Sequence, residues 1–126
     1  MPIQMNNTSP STGTIFFGGL NNLRGLKFGS DGALYVAESG CGGTTIMTNA
    51  QDCEQVPAPI GPYTAGLQSA RISKISSDGA QRTTIVENLP SSQNSIKAGG
   101  LVSGVADIAF VNGSLYALIK GAGCSH

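Results

Sequence analysis

The feature that most constrains the fold is a hairpin motif that occurs twice. "GLKFGSDGALYVA" begins at Gly25, and "DIAFVNGSLYALI" begins at Asp107. In both copies an apolar strand pattern leads into a turn that contains glycine, and a second apolar run with a Leu-Tyr pair follows. Glycine together with Asn or Asp is typical of tight hairpin turns. The sequence therefore predicts two copies of one β-hairpin.

A different hairpin is predicted between the two copies. "ARISKI" (70–75) and the more polar "QRTTIVENL" (81–89) flank a Ser-Ser-Asp-Gly turn, and the polar strand is expected at an outer edge. Residues 14–20 predict a further short strand, whereas residues 40–66 are rich in Gly, Pro and Thr and predict a long loop. No segment has helical periodicity over ten residues. We therefore expect an all-β fold.

The spacing of the two copies indicates a β-propeller. Without the insertion loop 40–66, the period approaches the roughly 40–50 residues of a four-stranded propeller blade. Residues 14–89 then form blade one, residues 100–123 begin blade two, and residues 1–13 are a flexible lead-in to the propeller region 14–126. Because a propeller needs about 4–8 blades, one and a half blades predict a fragment that the rest of the same chain completes. The alternative is a β-sandwich that contains two unrelated hairpins.

The propeller hypothesis makes a prediction about burial, because neighbouring blades cover both faces of each sheet. Asp31 and Asn112 are expected to be exposed at hairpin turns. The side chains expected to be buried between blades are those of Phe28, Leu34, Val36, Phe110, Leu115 and Ala117.

Composition excludes two classes of partner. Seven basic and seven acidic residues cancel, and charged residues make up only 11% of the 126 residues. Such a chain has no basic field for a phosphate backbone, so nucleic-acid binding is not expected. No apolar run reaches the roughly 18 residues of a membrane span. The first residues also lack the cationic start and apolar stretch of a signal peptide.

Motifs for catalysis are missing from the sequence. It contains no Gly-x-Ser-x-Gly, His-Glu-x-x-His, Cys-x-x-Cys or phosphate-loop motif, and its one histidine is the last residue, His126. A Ser-His-Asp triad would have to use that terminal residue. Whether the chain is an enzyme is therefore left open by its residues.

Cys41 and Cys53 lie within the long loop 40–66. A crosslink that closes such a loop stabilises a fold by roughly 3 kcal/mol, so a Cys41–Cys53 disulfide is predicted if the protein is exported to an oxidising compartment. The alternative is two free thiols. A tetrahedral zinc site is disfavoured, because the chain has only three cysteines and one histidine.

A stretch around the first hairpin resembles a known family. "GLNNLRGLKFGSDGALYVAESGCGG" is similar to the first-blade motif of the ScyD/ScyE family, propeller proteins associated with scytonemin biosynthesis clusters, and more loosely to NHL and gluconolactonase-like propellers. A Gly/Cys/Pro-rich insertion, the "LPS" turn at 89–91 and a second "DIAF" at 107–110 extend the resemblance over about residues 18–123. The chain departs from the family pattern at Ala106, where that pattern has a histidine.

The resemblance implies a propeller of six blades, exported to the extracellular space or periplasm. It implies an accessory protein that binds a small molecule or a protein partner. The alternative is a metal-dependent hydrolase or lactonase of the gluconolactonase type. In that case Glu38 and Asp107 would bind a divalent cation, with calcium as the expected ion, and Arg24 would bind an anionic ligand. The plainer interpretations are that Glu38 is a solvated strand-end carboxylate, that Asp107 caps a strand and that Arg24 forms an ion pair.

Overall fold

A computed structural model describes residues 12–46 and 56–120 as β-sheet and loop. Within these ranges there is no α-helix, only one 3₁₀ turn at Ile96–Ala98, and no helix long and apolar enough to cross a bilayer. The prediction of an all-β fold is confirmed. The strands are β1 (Leu23–Phe28), β2 (Leu34–Glu38), β3 (Ala70–Ile75), β4 (Arg82–Leu89), β5 (Ser92–Gln93), β6 (Val102–Ser103), β7 (Val105–Val111) and β8 (Ser114–Ile119).

The first sheet is an antiparallel meander in the order β1-β2-β3-β4. As predicted, the polar strand β4 lies at an edge and is exposed over almost its whole length. The predicted strand at 14–20 is wrong. That segment crosses the β3–β4 turn, where a Cβ added to Gly79 would lie 2.6 Å from the carbonyl oxygen of Phe16. Its backbone therefore approaches this turn and does not extend the sheet.

The second copy of the motif forms the separate hairpin β7–β8, and the two copies have the same pairing register. Both turns have the positive φ expected from their sequence, with φ of 77° at Gly32 and of 50° and 79° at Asn112 and Gly113. The repeat seen in the sequence is therefore a repeat of strand pairing, although the turn of the first copy is one residue longer. The equivalent pairs are Phe28–Leu34 with Phe110–Leu115, Leu26–Val36 with Ile108–Ala117, and Lys27–Tyr35 with Ala109–Tyr116.

The core lies where strand β7 packs against the first sheet. Tyr35 of β2 meets Phe110 of β7 edge to face, with ring centroids 4.9 Å apart and ring planes at 86°. Tyr35 and Leu115 also pack at the margin of the buried cluster. The fully buried members of this cluster are Ala37, Ala70, Ile72, Val105 and Ile108.

Burial of the six predicted side chains is confirmed only in part. Val36 is fully buried, and Leu34 and Leu115 are half-buried. The prediction is wrong for Phe28, which is 76% exposed, and also for Phe110 and Ala117, which count as exposed. Phe28 projects from the face of the first hairpin that β7 does not cover, whereas Phe110 and Ala117 lie on the covered face and are covered only in part. Asp31 and Asn112 are exposed at their turns, as expected.

Candidate functional site: a cationic cavity between the two sheets

Glu38 occupies the end of β2 and is fully buried. Its direct cross-strand partner is Arg71, whose Nε and Nη2 each donate to one carboxylate oxygen at 2.9 Å. The Ser73 hydroxyl and the Asn21 backbone N–H donate to the same carboxylate. This fork geometry is the strong form of an ion pair.

The surroundings of Glu38 keep it charged. Burial alone would raise its pKa, but hydrogen bonds from Arg71, the Asn21 N–H and Ser73 outweigh burial and hold the pKa below its usual value. Both oxygens are already occupied by donors from the protein. A cation would have to displace an arginine to reach them, so Glu38 in this arrangement is not suited to bind calcium.

Asp107 lies elsewhere, at an irregular step in the pairing of β7 with β8. The side chain is exposed, and its Oδ1 accepts a hydrogen bond from the N–H of Ile108 at 2.9 Å. Its backbone crosses close to Gly25, where an added Cβ would lie 3.0 Å from the Asp107 Cα. Among the described residues no group of three or more His, Cys, Asp or Glu side chains could hold a metal ion. No such group joins Glu38 and Asp107 among the described residues, and a cation bound by these two residues stays a prediction.

Arg24 is the sequence-predicted residue that does line a cavity. The cavity has a volume of about 220 Å³ and lies between β1 and the chain that enters β7. Arg24 Nη2 donates to the carbonyl oxygen of Val102 at 2.9 Å, and the guanidinium remains exposed. Lys120, which sequence reasoning missed, lines the same cavity. The two cations are brought together by strands from opposite copies of the repeat.

The position of Lys120 follows from the repeat. Its backbone N–H donates to the carbonyl oxygen of Gly104 at 2.8 Å, which ties the end of β8 to the start of β7. Ser39, the residue that follows β2, is the equivalent of Lys120 in the first copy and lines the cavity as well. Aligning the two strand ends would have placed Lys120 at the same rim as Ser39. That alignment was the available signal.

The charged side chains that line the cavity, those of Arg24 and Lys120, are both positive. No Asp or Glu is among the described residues that line it. Neither Arg24 nor Lys120 forms an ion pair with any carboxylate in 12–46 or 56–120. The remaining wall includes the apolar side chains of Leu101, Val102 and Ala106. The cavity is therefore suited to a small anion that has an apolar part.

The floor of the cavity depends on a close approach of backbones. A Cβ added to Gly104 would lie 2.3 Å from the carbonyl oxygen of Ser39, and this backbone is buried. We expect Gly104→Ala to lower the free energy of unfolding by about 1–3 kcal/mol, because the backbone has to shift. Urea unfolding would measure the loss. Gly18→Ala, whose added Cβ meets nothing within 4 Å, is the matched control and should be close to neutral. Equal stability of the two variants would contradict the close approach.

The cysteine prediction falls partly outside the described residues. Cys41 is an exposed free thiol whose sulfur accepts a hydrogen bond from Asn21 Nδ2 at 3.0 Å. Cys53 lies outside the described residues, as do Cys124 and His126. The Cys41–Cys53 disulfide therefore stays a prediction.

Comparison with known proteins adds no family. No family model matches the chain, and no curated protein or solved structure matches it significantly.

Proposed function

We propose that this chain is part of an exported, ScyD/ScyE-like β-propeller that acts as an accessory binding protein. The four-stranded meander has the strand order of a propeller blade, and the second hairpin repeats its inner half in the same register. The packing of Ile108 and Phe110 against the face of the first sheet supports stacked blades. The ligand belongs to the class of small organic anions.

The observation that carries this function is the pairing of Arg24 with Lys120 in one cavity that has no described acidic lining. A volume of about 220 Å³ is smaller than the roughly 300–1,000 Å³ of cavities that hold drug-sized ligands. A carboxylate on a short apolar body matches the size, the two cations and the apolar wall. Ser39, Ser103 and Lys120 line the cavity, but no described Asp, Glu or His lines it to activate a serine hydroxyl, so we propose binding and not catalysis.

The metal-dependent hydrolase is the weaker function for this part of the chain. Glu38, its first predicted ligand, forms the buried ion pair with Arg71, and Asp107 lies at a separate, exposed position. No described residue adds a third ligand.

Binding can be tested with short-chain carboxylates, from acetate to hexanoate, and with the corresponding neutral alcohols. We expect carboxylates to shift the amide resonances of Val102, Gly104 and Lys120, and the alcohols to leave them unchanged. A charge-assisted hydrogen bond contributes about 1.5–3 kcal/mol, so Arg24→Ala and Lys120→Ala should each weaken binding at least about tenfold.

Arg82→Ala is the matched control, since Arg82 is an exposed arginine at the start of the edge strand β4. It should bind the carboxylates like the wild type. Carboxylate binding that is lost equally in Arg82→Ala would indicate a general charge effect and contradict the site. Shifts that are the same with the alcohols would contradict the assignment to anions.

A further inference from the structure

The two copies of the hairpin leave two complementary apolar faces uncovered. We define the β1 face as Leu26, Phe28 and Leu34, which project from one side of the first hairpin. We define the β8 face as Ala109, Tyr116 and Leu118, which project from the second hairpin on the side away from the core. Phe28 is 76% exposed, and Tyr116 and Leu118 are 58% and 64% exposed. Apolar side chains clustered in this way mark interaction surfaces.

The chain itself shows what such faces bind. Inside the molecule the face of β2 that carries Tyr35 and Ala37 packs on the face of β7 that carries Ile108 and Phe110. Under the repeat, Tyr116 is equivalent to Tyr35, and Phe28 is equivalent to Phe110. The β8 face therefore copies one side of the existing interface, and the β1 face copies the other side.

We infer that the 126-residue chain, on its own, binds a second copy head to tail, with the β8 face of one copy on the β1 face of the next; this rests on the stacked-blade packing proposed above, with the second copy in the place of the neighbouring blade. The expected central contact is Tyr116 of one molecule against Phe28 of its neighbour, which repeats the edge-to-face pair of Tyr35 and Phe110. Asp107 lies opposite Leu118 at the end of the β8 face and is exposed, so we expect it to stay at the solvated rim of the contact. The contact is small, so association is expected to be weak and to depend on concentration.

The geometry of this contact is heterologous. A head-to-tail contact uses two different surfaces on each molecule, so it continues from copy to copy unless the rotation closes a ring. An isologous dimer, in contrast, uses one surface twice. The two arrangements respond differently to substitutions, which makes the inference testable. It is independent of the anion site, because none of the residues of the two faces lines that cavity.

The test is sedimentation velocity on the 126-residue chain from about 10 μM to about 1 mM, a range that covers weak complexes. We expect the wild type to form species larger than a dimer as concentration rises. Phe28→Asp and Tyr116→Asp should each weaken self-association at least tenfold, because each destroys one of the two faces. Ile96→Asp is the matched control: Ile96 is 90% exposed and lies outside both faces, so this variant should associate like the wild type.

The decisive measurement is the equimolar mixture of Phe28→Asp with Tyr116→Asp. One variant keeps the β8 face and the other keeps the β1 face, so the mixture should form a 1:1 heterodimer and nothing larger. This gain of association cannot come from a variant that has failed to fold. A wild type that stays monomeric over the whole range would overturn the inference. So would a Phe28→Asp variant that still dimerises with itself, because that outcome indicates an isologous contact such as β8 pairing edge to edge with β8.

Discussion

Glu38→Ala should lower the free energy of unfolding by about 3 kcal/mol at neutral pH. The Glu38 carboxylate is fully buried and accepts two hydrogen bonds from Arg71 at 2.9 Å. Removing one partner of a buried ion pair costs about 3–5 kcal/mol, since the other charge is left unpaired. We expect the lower end of this range because the Arg71 side chain is 24% exposed and can recover some hydration. Chemical denaturation measures the loss directly.

The same residue predicts how stability depends on pH. The pKa of Glu38 in the folded protein lies below its ordinary value of 4.5. A carboxyl group with a lowered folded pKa stabilises the protein above the unfolded pKa, and this contribution is lost as the pH falls through the folded pKa. The free energy of unfolding of the wild type should therefore decrease as the pH falls below about 4.5. That of Glu38→Gln should decrease less in the same range.

Arg82→Ala is the matched control for these experiments, because Arg82 is an exposed charged residue on the edge strand β4 and forms no ion pair with a described carboxylate. It should change stability by less than about 0.5 kcal/mol. A second comparison separates the ion pair from a metal site. If millimolar calcium raised the melting temperature of the wild type but not that of Glu38→Ala, the ion-pair assignment would be wrong, and Glu38 would be a metal ligand.

The second large effect is expected at the junction of the two sheets. Ile108 is 2% exposed and lies in the buried cluster that joins β7 to the first sheet. Ile108→Ala should cost about 2–5 kcal/mol, because it removes buried methylene groups and leaves a cavity. Thermal or urea unfolding at low protein concentration would measure this cost.

Phe28→Ala provides the comparison within the same motif. Phe28 is equivalent to Phe110 in the repeat but is 76% exposed, so its truncation should cost well under 1 kcal/mol in the monomer. A loss of several kcal/mol from Phe28→Ala at low concentration would mean that this side chain is covered. It would also remove the basis for a free β1 face.

Much of the fold was predictable because the local signals were strong. The turns at Ser30-Asp31-Gly32 and Asn112-Gly113 require positive φ, and the sequence supplies Gly and Asn where the backbone needs them. The apolar strand patterns on either side of the first turn, "GLKF" and "ALYVA", placed β1 and β2 within one or two residues. The segment 14–20 was wrong because an apolar run followed by Gly-Gly has the composition of a strand, whether or not a ladder partner is present.

The candidate site was predictable only for Arg24. Glu38 was expected to be a cation ligand or a solvated strand-end carboxylate. It is instead buried and paired with Arg71, which stands directly opposite it in the β2–β3 register, and that register cannot be derived from the local pattern. Lys120 was missed because a lysine at a strand end has no distinctive spacing. It becomes part of a site only when the second hairpin packs on the first sheet. Burial was overpredicted because both faces of each hairpin were assumed to have neighbours.

The attachment of β7–β8 has a consequence for how the molecule opens. This hairpin touches the first sheet through β7, while β8 hydrogen-bonds only to β7 among the described strands. The buried cluster spans this junction, so separating the hairpin from the first sheet exposes the core of the molecule. We therefore expect the hairpin to separate from the meander only as the molecule unfolds. Separation of the two sheets moves Lys120 away from Arg24. An anion bound by both cations would therefore stabilise the arrangement in which the two sheets are packed together.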